Sequence, residues 1–279
     1  MIVFPNCKIN LGLRILRKRT DGYHDLETVF YPIPLFDALE IVEYKDPVRS
    51  ASMPFTLSGL EVEGDPMSNI CAKAYRLLKR DFPQLPHIHM HLHKVIPSGA
   101  GLGGGSADAA FTLLLLNRLF QLSLSEKDLI GYAAELGSDC PFFIINKPCV
   151  ATGRGELLEP VKLDLAGYDI VLVNPGIHVN TGDAFRNLIP AKAPVSVRDI
   201  IRQPLERWKD ELVNDFEKVI FRKHREIVEI KDTLYRLGAL YASMSGSGST
   251  VFGIFPSGNV PALHFPPDYF VRSFGVGQL

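Results

Sequence analysis

Five glycines stand within seven residues, Gly99-Ala-Gly-Leu-Gly-Gly-Gly105, and Ser106 opens a long apolar segment directly after them. Glycine lets backbone come close to a ligand, and a helix beginning there presents free N–H groups and roughly half a positive charge at one place. The chemistry this suits is cradling a phosphate without a basic side chain. A tight structural turn is the plainer reading, but such a turn needs one or two glycines rather than five. Gly99-x-Gly101-x-x-Gly104 also matches a dinucleotide fingerprint literally. The context fails it, because the strand before it alternates polar and apolar residues and no acidic strand end follows about 20 residues on. No Gly-Lys pair exists for a Walker loop, and the protein-kinase catalytic and metal-binding tripeptides are missing.

Were a phosphate held there to be transferred, a base and a cation would be needed near the acceptor hydroxyl. Asp139 stands in a predicted turn before Pro141, where a carboxylate projects into a cleft or simply closes the turn. Lys8 and Asn10 share a face of a strand with a two-residue period, and Lys8 is either a buried cation or a solvated edge lysine. Ser106 reads equally as a helix N-cap and as a phosphate or magnesium contact. Tyr23, His24 and Phe185 offer flat aromatic surfaces, with Thr181 close to Phe185, although lone aromatics are often core. Arg14, Arg17, Lys18 and Arg19 form a basic run that attracts a diphosphate or is a solvated face. Four histidines at 87, 89, 91 and 93 point to one side of one strand. Successive ones are about 6.6 Å apart, so they cannot converge on a single ion and read as a polar face. Met244-Ser-Gly-Ser-Gly248 is a second glycine-rich turn, either another phosphate nest or packing beneath the first.

The elements that must position these residues alternate in runs. Strands are predicted at 7–16, 26–33 and 38–44, with a turn at 17–24 between the first two. A helix fits 68–81 with Ser68 as N-cap, and a strand fits 87–93. Helices follow from Ser106 and over 125–136, then strands at 141–145, 149–152 and 168–173. After Pro175 the pattern is mainly helical to about 237, with strands again at 240–244 and 250–255. Runs of strands and runs of helices suggest an α+β fold, with domains at 1–155 and 156–279. The 279 residues, 46% hydrophobic and 22% charged, make a folded globular chain. A net charge of −1 argues against a general grip on nucleic acid. Apolar runs such as 113–116 and 142–145 fall far short of the about 20 residues of a membrane span. Cys7, Cys71, Cys140 and Cys149 contain no C-x-x-C pair, so reduced thiols and a cytoplasmic location are expected. The first residues carry no signal-like leader pattern.

Pro97-Ser-Gly-Ala-Gly-Leu-Gly-Gly-Gly-Ser-Ala107 resembles the ATP-binding loop of the GHMP small-molecule kinases. Five further stretches agree in order: Lys8-Ile-Asn10-Leu, Asp21-Gly-Tyr-His24, Leu136-Gly-Ser-Asp139-Cys-Pro-Phe, Gly153-x-Gly-Glu156 and Ser245-Gly-Ser-Gly248. Together they resemble a branch that phosphorylates a cytidine diphosphate-linked polyol in the non-mevalonate isoprenoid route. The resemblance implies a GHMP kinase fold, with an N-terminal lobe like ribosomal protein S5 domain 2 and a ferredoxin-like C-terminal lobe. It implies ATP at Pro97, Ser98, Gly99, Ala100, Gly101, Leu102, Gly103, Gly104, Gly105, Ser106 and Ala107, with Mg2+ as a cofactor to which it assigns no protein ligand set. It makes Lys8 and Asp139 catalytic and gives Asn10, Tyr23, His24, Thr181 and Phe185 to the acceptor. It puts Ser245–Gly248 beside the ATP loop. The implied partners are small molecules, with neither nucleic acid nor membrane, on a monomer or weak homodimer. Homoserine and mevalonate are rival acceptors, and a silent nucleotide-binding module is a rival of another class. Pro256, Pro261, Pro266 and Pro267 interrupt the expected C-terminal helix.

Overall fold

The N-terminal alternation builds long strands. The computed structural model describes residues 1–44, 54–62, 64–191 and 194–275. It begins with β1 (Ile2–Val3), β2 (Asn6–Lys18), β3 (His24–Phe36) and β4 (Ala38–Glu43). Then come β5 (Phe55–Gly59), α1 (Ile70–Asp81), β6 (Ile88–Lys94), α2 (Gly104–Leu119), α3 (Glu126–Leu136) and α4 (Cys140–Ile145). The N-cap of α1 is Asn69, whose side chain accepts from the Cys71 N–H, and the expected cap Ser68 closes the short turn before it. Helix α3 starts at Ser125, which exchanges hydrogen bonds with Asp128, and stops at Gly137 as expected.

Residues 141–145, expected as a strand, are the helix α4. Pro141 in its first turn presets a helical φ and lacks an N–H that would be unsatisfied there anyway, and Asn146 closes it with φ +49°. The apolar run Phe142–Ile144 is buried, so periodicity could not separate a core strand from a core helix.

The chain continues through β7 (Cys149–Thr152), β8 (Leu157–Pro160), β9 (Tyr168–Asn174) and α5 (Thr181–Arg186). Short helices α6 (Val197–Ile200), α7 (Trp208–Glu211) and α8 (Glu217–Ile220) precede α9 (Arg225–Arg236). Last come β10 (Tyr241–Met244), β11 (Val251–Pro256) and β12 (Phe270–Gly275). The C-terminal stretch carries an edge strand, β12, paired antiparallel with β9, and among the described residues no helix forms where the prolines interrupt the pattern. Prolines 256, 261, 266 and 267 all precede the paired segment, so none interrupts its ladder.

Contacts group the chain into two compact units, each discontinuous in sequence: 1–7, 35–98 and 103–146 in the first, and 8–34, 99–102 and 147–279 in the second. In the first unit the sheet runs β1-β4-β6-β5, antiparallel except for β5 against β6. Ile88, Met90 and Leu92 fill its core side, while on the other side His91 bonds Thr56 and Ser58 and His93 bonds Ser58. The second unit carries the sheets β2-β3-β7-β8 and β10-β11-β9-β12. Ile227, Ile230 and Leu234 of α9 recur at helical spacing in a core with Val171, Val173, Val251 and Phe255. Burial of each such side chain contributes about 1.5–3 kcal/mol.

Candidate active site

The glycine loop takes conformations that side chains would resist. Gly99, Gly101 and Gly103 have φ of +64°, +79° and +70°. A Cβ on Gly101 would lie 2.0 Å from the Ser245 carbonyl oxygen, so only glycine fits there. Helix α2 begins at Gly104 with left-handed Gly103 as its N-cap and no side-chain cap. Ser106 is therefore not the N-cap of one of its two readings; it sits in the first turn with its hydroxyl against the Cys140 thiol. Residues 99–102 belong to the second unit, and Pro97, Ser98 and Gly103–Ala107 to the first.

In the second unit, side chains converge on one carbonyl. Lys8 is only 3% exposed, which settles it as a buried cation rather than a solvated edge lysine. Its ammonium donates to Asn10 Oδ1 at 2.7 Å and to the Gly101 carbonyl at 3.3 Å, and it lies 4.7 Å from the centre of the Phe30 ring. The same Gly101 oxygen accepts from Ser245 Oγ at 2.8 Å, and Ser245 Oγ in turn accepts from the Asn10 N–H. Asn10 Nδ2 donates to Thr28 Oγ1, fixing which end of the amide faces Lys8. The Ser245–Gly248 turn thus packs against the loop, held in place by Asn214 Nδ2, which donates to the Met244 and Gly246 carbonyls.

Two of the aromatics singled out in the sequence also meet within this unit. The His24 ring stacks on Phe185 with centroids 4.9 Å and planes 16° apart, and Phe185 meets Phe216 edge-on. Burial, with a smaller push from the Lys18 charge, holds the His24 imidazole below its usual pKa. Thr181 Oγ1 lies 2.7 Å from Ser247 Oγ, so α5 links the aromatic pair to the Ser245–Gly248 turn. Tyr23 is elsewhere engaged: the Arg154 guanidinium lies over its ring at 4.9 Å. The basic run is largely neutralised, Arg14 by Asp215, Arg17 by Asp25, and Arg19 by Asp21 and Asp25.

In the first unit, Asp139 is the residue before α4, half-buried, with backbone φ −87° and ψ −16°. The adjacent Cys140 thiol bonds Ser106, which brings Asp139 beside the first turn of α2. Burial pushes the Cys140 thiol up to about 12, so it stays protonated. The same unit buries Lys94 between Asp37 and Asp108, and desolvation, outweighing the pull of Lys94, pushes the Asp108 carboxyl up to about 7.

The description "GHMP kinases N terminal domain" matches residues 69–147, and "GHMP kinases C terminal" matches residues 196–263. A Bacteroides fragilis protein named 4-diphosphocytidyl-2-C-methyl-D-erythritol kinase is 54% identical over 268 residues, 95% of this chain and 96% of that protein. The chain belongs to the GHMP kinases. A Bacteroides thetaiotaomicron protein of the same name is 51% identical over 97% of this chain and 98% of its own length. A crystal structure of 4-(cytidine 5'-diphospho)-2C-methyl-D-erythritol kinase superposes with a TM-score of 0.76 at 32% identity, covering 91% of this chain and 89% of that one.

Within this GHMP kinase, sequence reasoning passed over Thr28, Asn214, Asp37, Lys94 and Asp108. One signal was available for Lys94: its two-residue period puts it on the same strand side as Ile88, Met90 and Leu92, the buried side. Thr28 and Asn214 carried none, because only their distant partners give them a role.

Proposed function

We propose that this enzyme transfers the γ-phosphoryl group of ATP to the C2 hydroxyl of 4-diphosphocytidyl-2-C-methyl-D-erythritol, in the non-mevalonate isoprenoid route. The observation that carries the reading is a pairing within the second unit. A stacked His24–Phe185 platform, fit for a nucleobase, is tied through Thr181 and Ser247 to the turn that packs against Gly101 of the phosphate loop. Homoserine and mevalonate have no base to place on such a platform.

The N–H groups at the start of α2 receive the phosphates, whose charge the helix dipole favours. Asp139 takes the proton of the acceptor hydroxyl, and its neighbours support this role by keeping the carboxylate half-buried at the end of a turn. Lys8 stabilises the developing alkoxide; Asn10, Gly101 and Phe30 hold its ammonium without flexible solvent-exposed slack. A magnesium ion carried by ATP would offset phosphate charge, with the Ser106 hydroxyl as its protein contact. Magnesium commonly keeps several waters and is held by substrate phosphates with one or two protein ligands, so a single hydroxyl suits it. We place the reaction in the cytoplasm, as reduced, buried cysteines support.

The test offers the purified chain MgATP with the cytidylated polyol, homoserine or mevalonate. Phosphorylation of the first alone is expected. Turnover of either of the others at a comparable kcat/KM would overturn the acceptor, and ATP binding without any transfer would leave a silent module.

A further inference from the structure

Beneath the start of α2 lies a charge cluster for which phosphoryl transfer has no direct use. Lys94 ends β6, and its ammonium donates to Asp108 Oδ2 at 2.7 Å and to Asp37 Oδ2. Asp37 Oδ1 accepts from the backbone N–H groups of Val95 at 2.6 Å and Ile96 at 2.9 Å. None of the three charged side chains is more than 3% exposed. Asp108 Oδ1 has no hydrogen-bond partner among the described residues.

Such a network is a weak stabiliser, since well-packed apolar replacements of a buried ion pair are often neutral or better. It is a strong orienter, because charge-assisted hydrogen bonds are short and directional. Residues 94–96 lead into the glycine loop, and α2 leads out of it. A Cβ on Gly104 would lie 2.8 Å from Ile96 Cγ2 and 3.4 Å from Lys94 Nζ, so entry and exit touch directly above the cluster.

We propose that Lys94 is a positioning residue for the ATP phosphates: by tying Asp108 on α2 to Asp37 and the strand end at 94–96, it fixes where the first N–H groups of α2 point. The ammonium is spent on two carboxylates and acts through them. The inference rests on the reading of the loop as the ATP phosphate cradle, and goes beyond it by naming what holds the cradle in shape.

The decisive variant is Lys94→Met/Asp108→Leu, which replaces the pair by apolar side chains and leaves Asp37 its two backbone donors. Calorimetry with MgADP and steady-state kinetics, on the full chain, read the result. The melting temperature should fall, because buried Asp37 Oδ2 loses its cation, while in the folded protein the MgADP Kd and the KM for ATP rise about tenfold and the KM for the acceptor stays within about twofold. Asp108→Asn keeps an acceptor for the ammonium and should restore MgADP affinity to within about threefold of wild type. Should the double variant not fold, Asp108→Ala carries the same readouts. Wild-type MgADP affinity in the uncoupled variant overturns the proposal, as does a loss shared equally by ATP and acceptor, or an Asp108→Asn variant as weak as the double. A wild-type chain that binds no MgADP overturns the loop reading and this inference together; the other failures overturn this inference alone.

Discussion

His24 and Phe185 lie ring against ring at 4.9 Å, although one closes the first hairpin and the other sits on α5. The Phe185→Ala variant removes both the stacking surface for a base and the partner that holds His24. Binding of the cytidylated acceptor should weaken by ~1–3 kcal/mol, the scale of base–aromatic stacking, with ATP affinity nearly unchanged. Calorimetry with each ligand separately checks this, and equal losses would remove the platform assignment.

Since the His24 imidazole is held below its usual pKa of about 6.5, folding favours the neutral ring. Its contribution to stability is full above that value and is lost as pH falls from there through the lower folded-state pKa. Denaturant melts from pH 8 to pH 5 should therefore decline more steeply for wild type than for His24→Asn. Parallel curves would mean that His24 titrates alike in both states.

Asp139→Asn keeps the turn and removes the basic oxygen. The kcat should fall by about 10²–10⁴ while nucleotide affinities stay within a few fold. Kinetics and a melting curve from one preparation decide: near-wild-type turnover in a folded Asn variant makes Asp139 a turn residue.

For Gly101→Ala, two costs coincide, a left-handed backbone and a Cβ 2.0 Å from the Ser245 oxygen. The left-handed conformation alone costs roughly 1–2 kcal/mol, and the clash adds to it. Urea melts should show at least that loss, together with a sharp drop in ATP turnover because the Ser245–Gly101–Lys8 contacts are pushed apart. An unchanged midpoint would show that the two turns can separate freely.

What the sequence by itself determined is chemistry that belongs to single residues or to short spacings. Glycine density announces a backbone that must turn left-handed and lie close to its neighbours, and three of those glycines do so. A two-residue period put Lys8 and Asn10 on one face, where they bond. Tertiary packing decided the rest. An apolar run such as 141–145 suits a buried strand or a buried helix equally, and packing made it α4. Residues 270–275 became an edge strand because β9 offered an unpaired side, which no local pattern near the C-terminus reveals. Lys8 is buried, Ser106 turns to Cys140, and Lys94 meets Asp37 and Asp108 because chain segments far apart in sequence bring their partners to them. The free energy of a polar group depends on what replaces its water, and only the folded chain supplies that replacement.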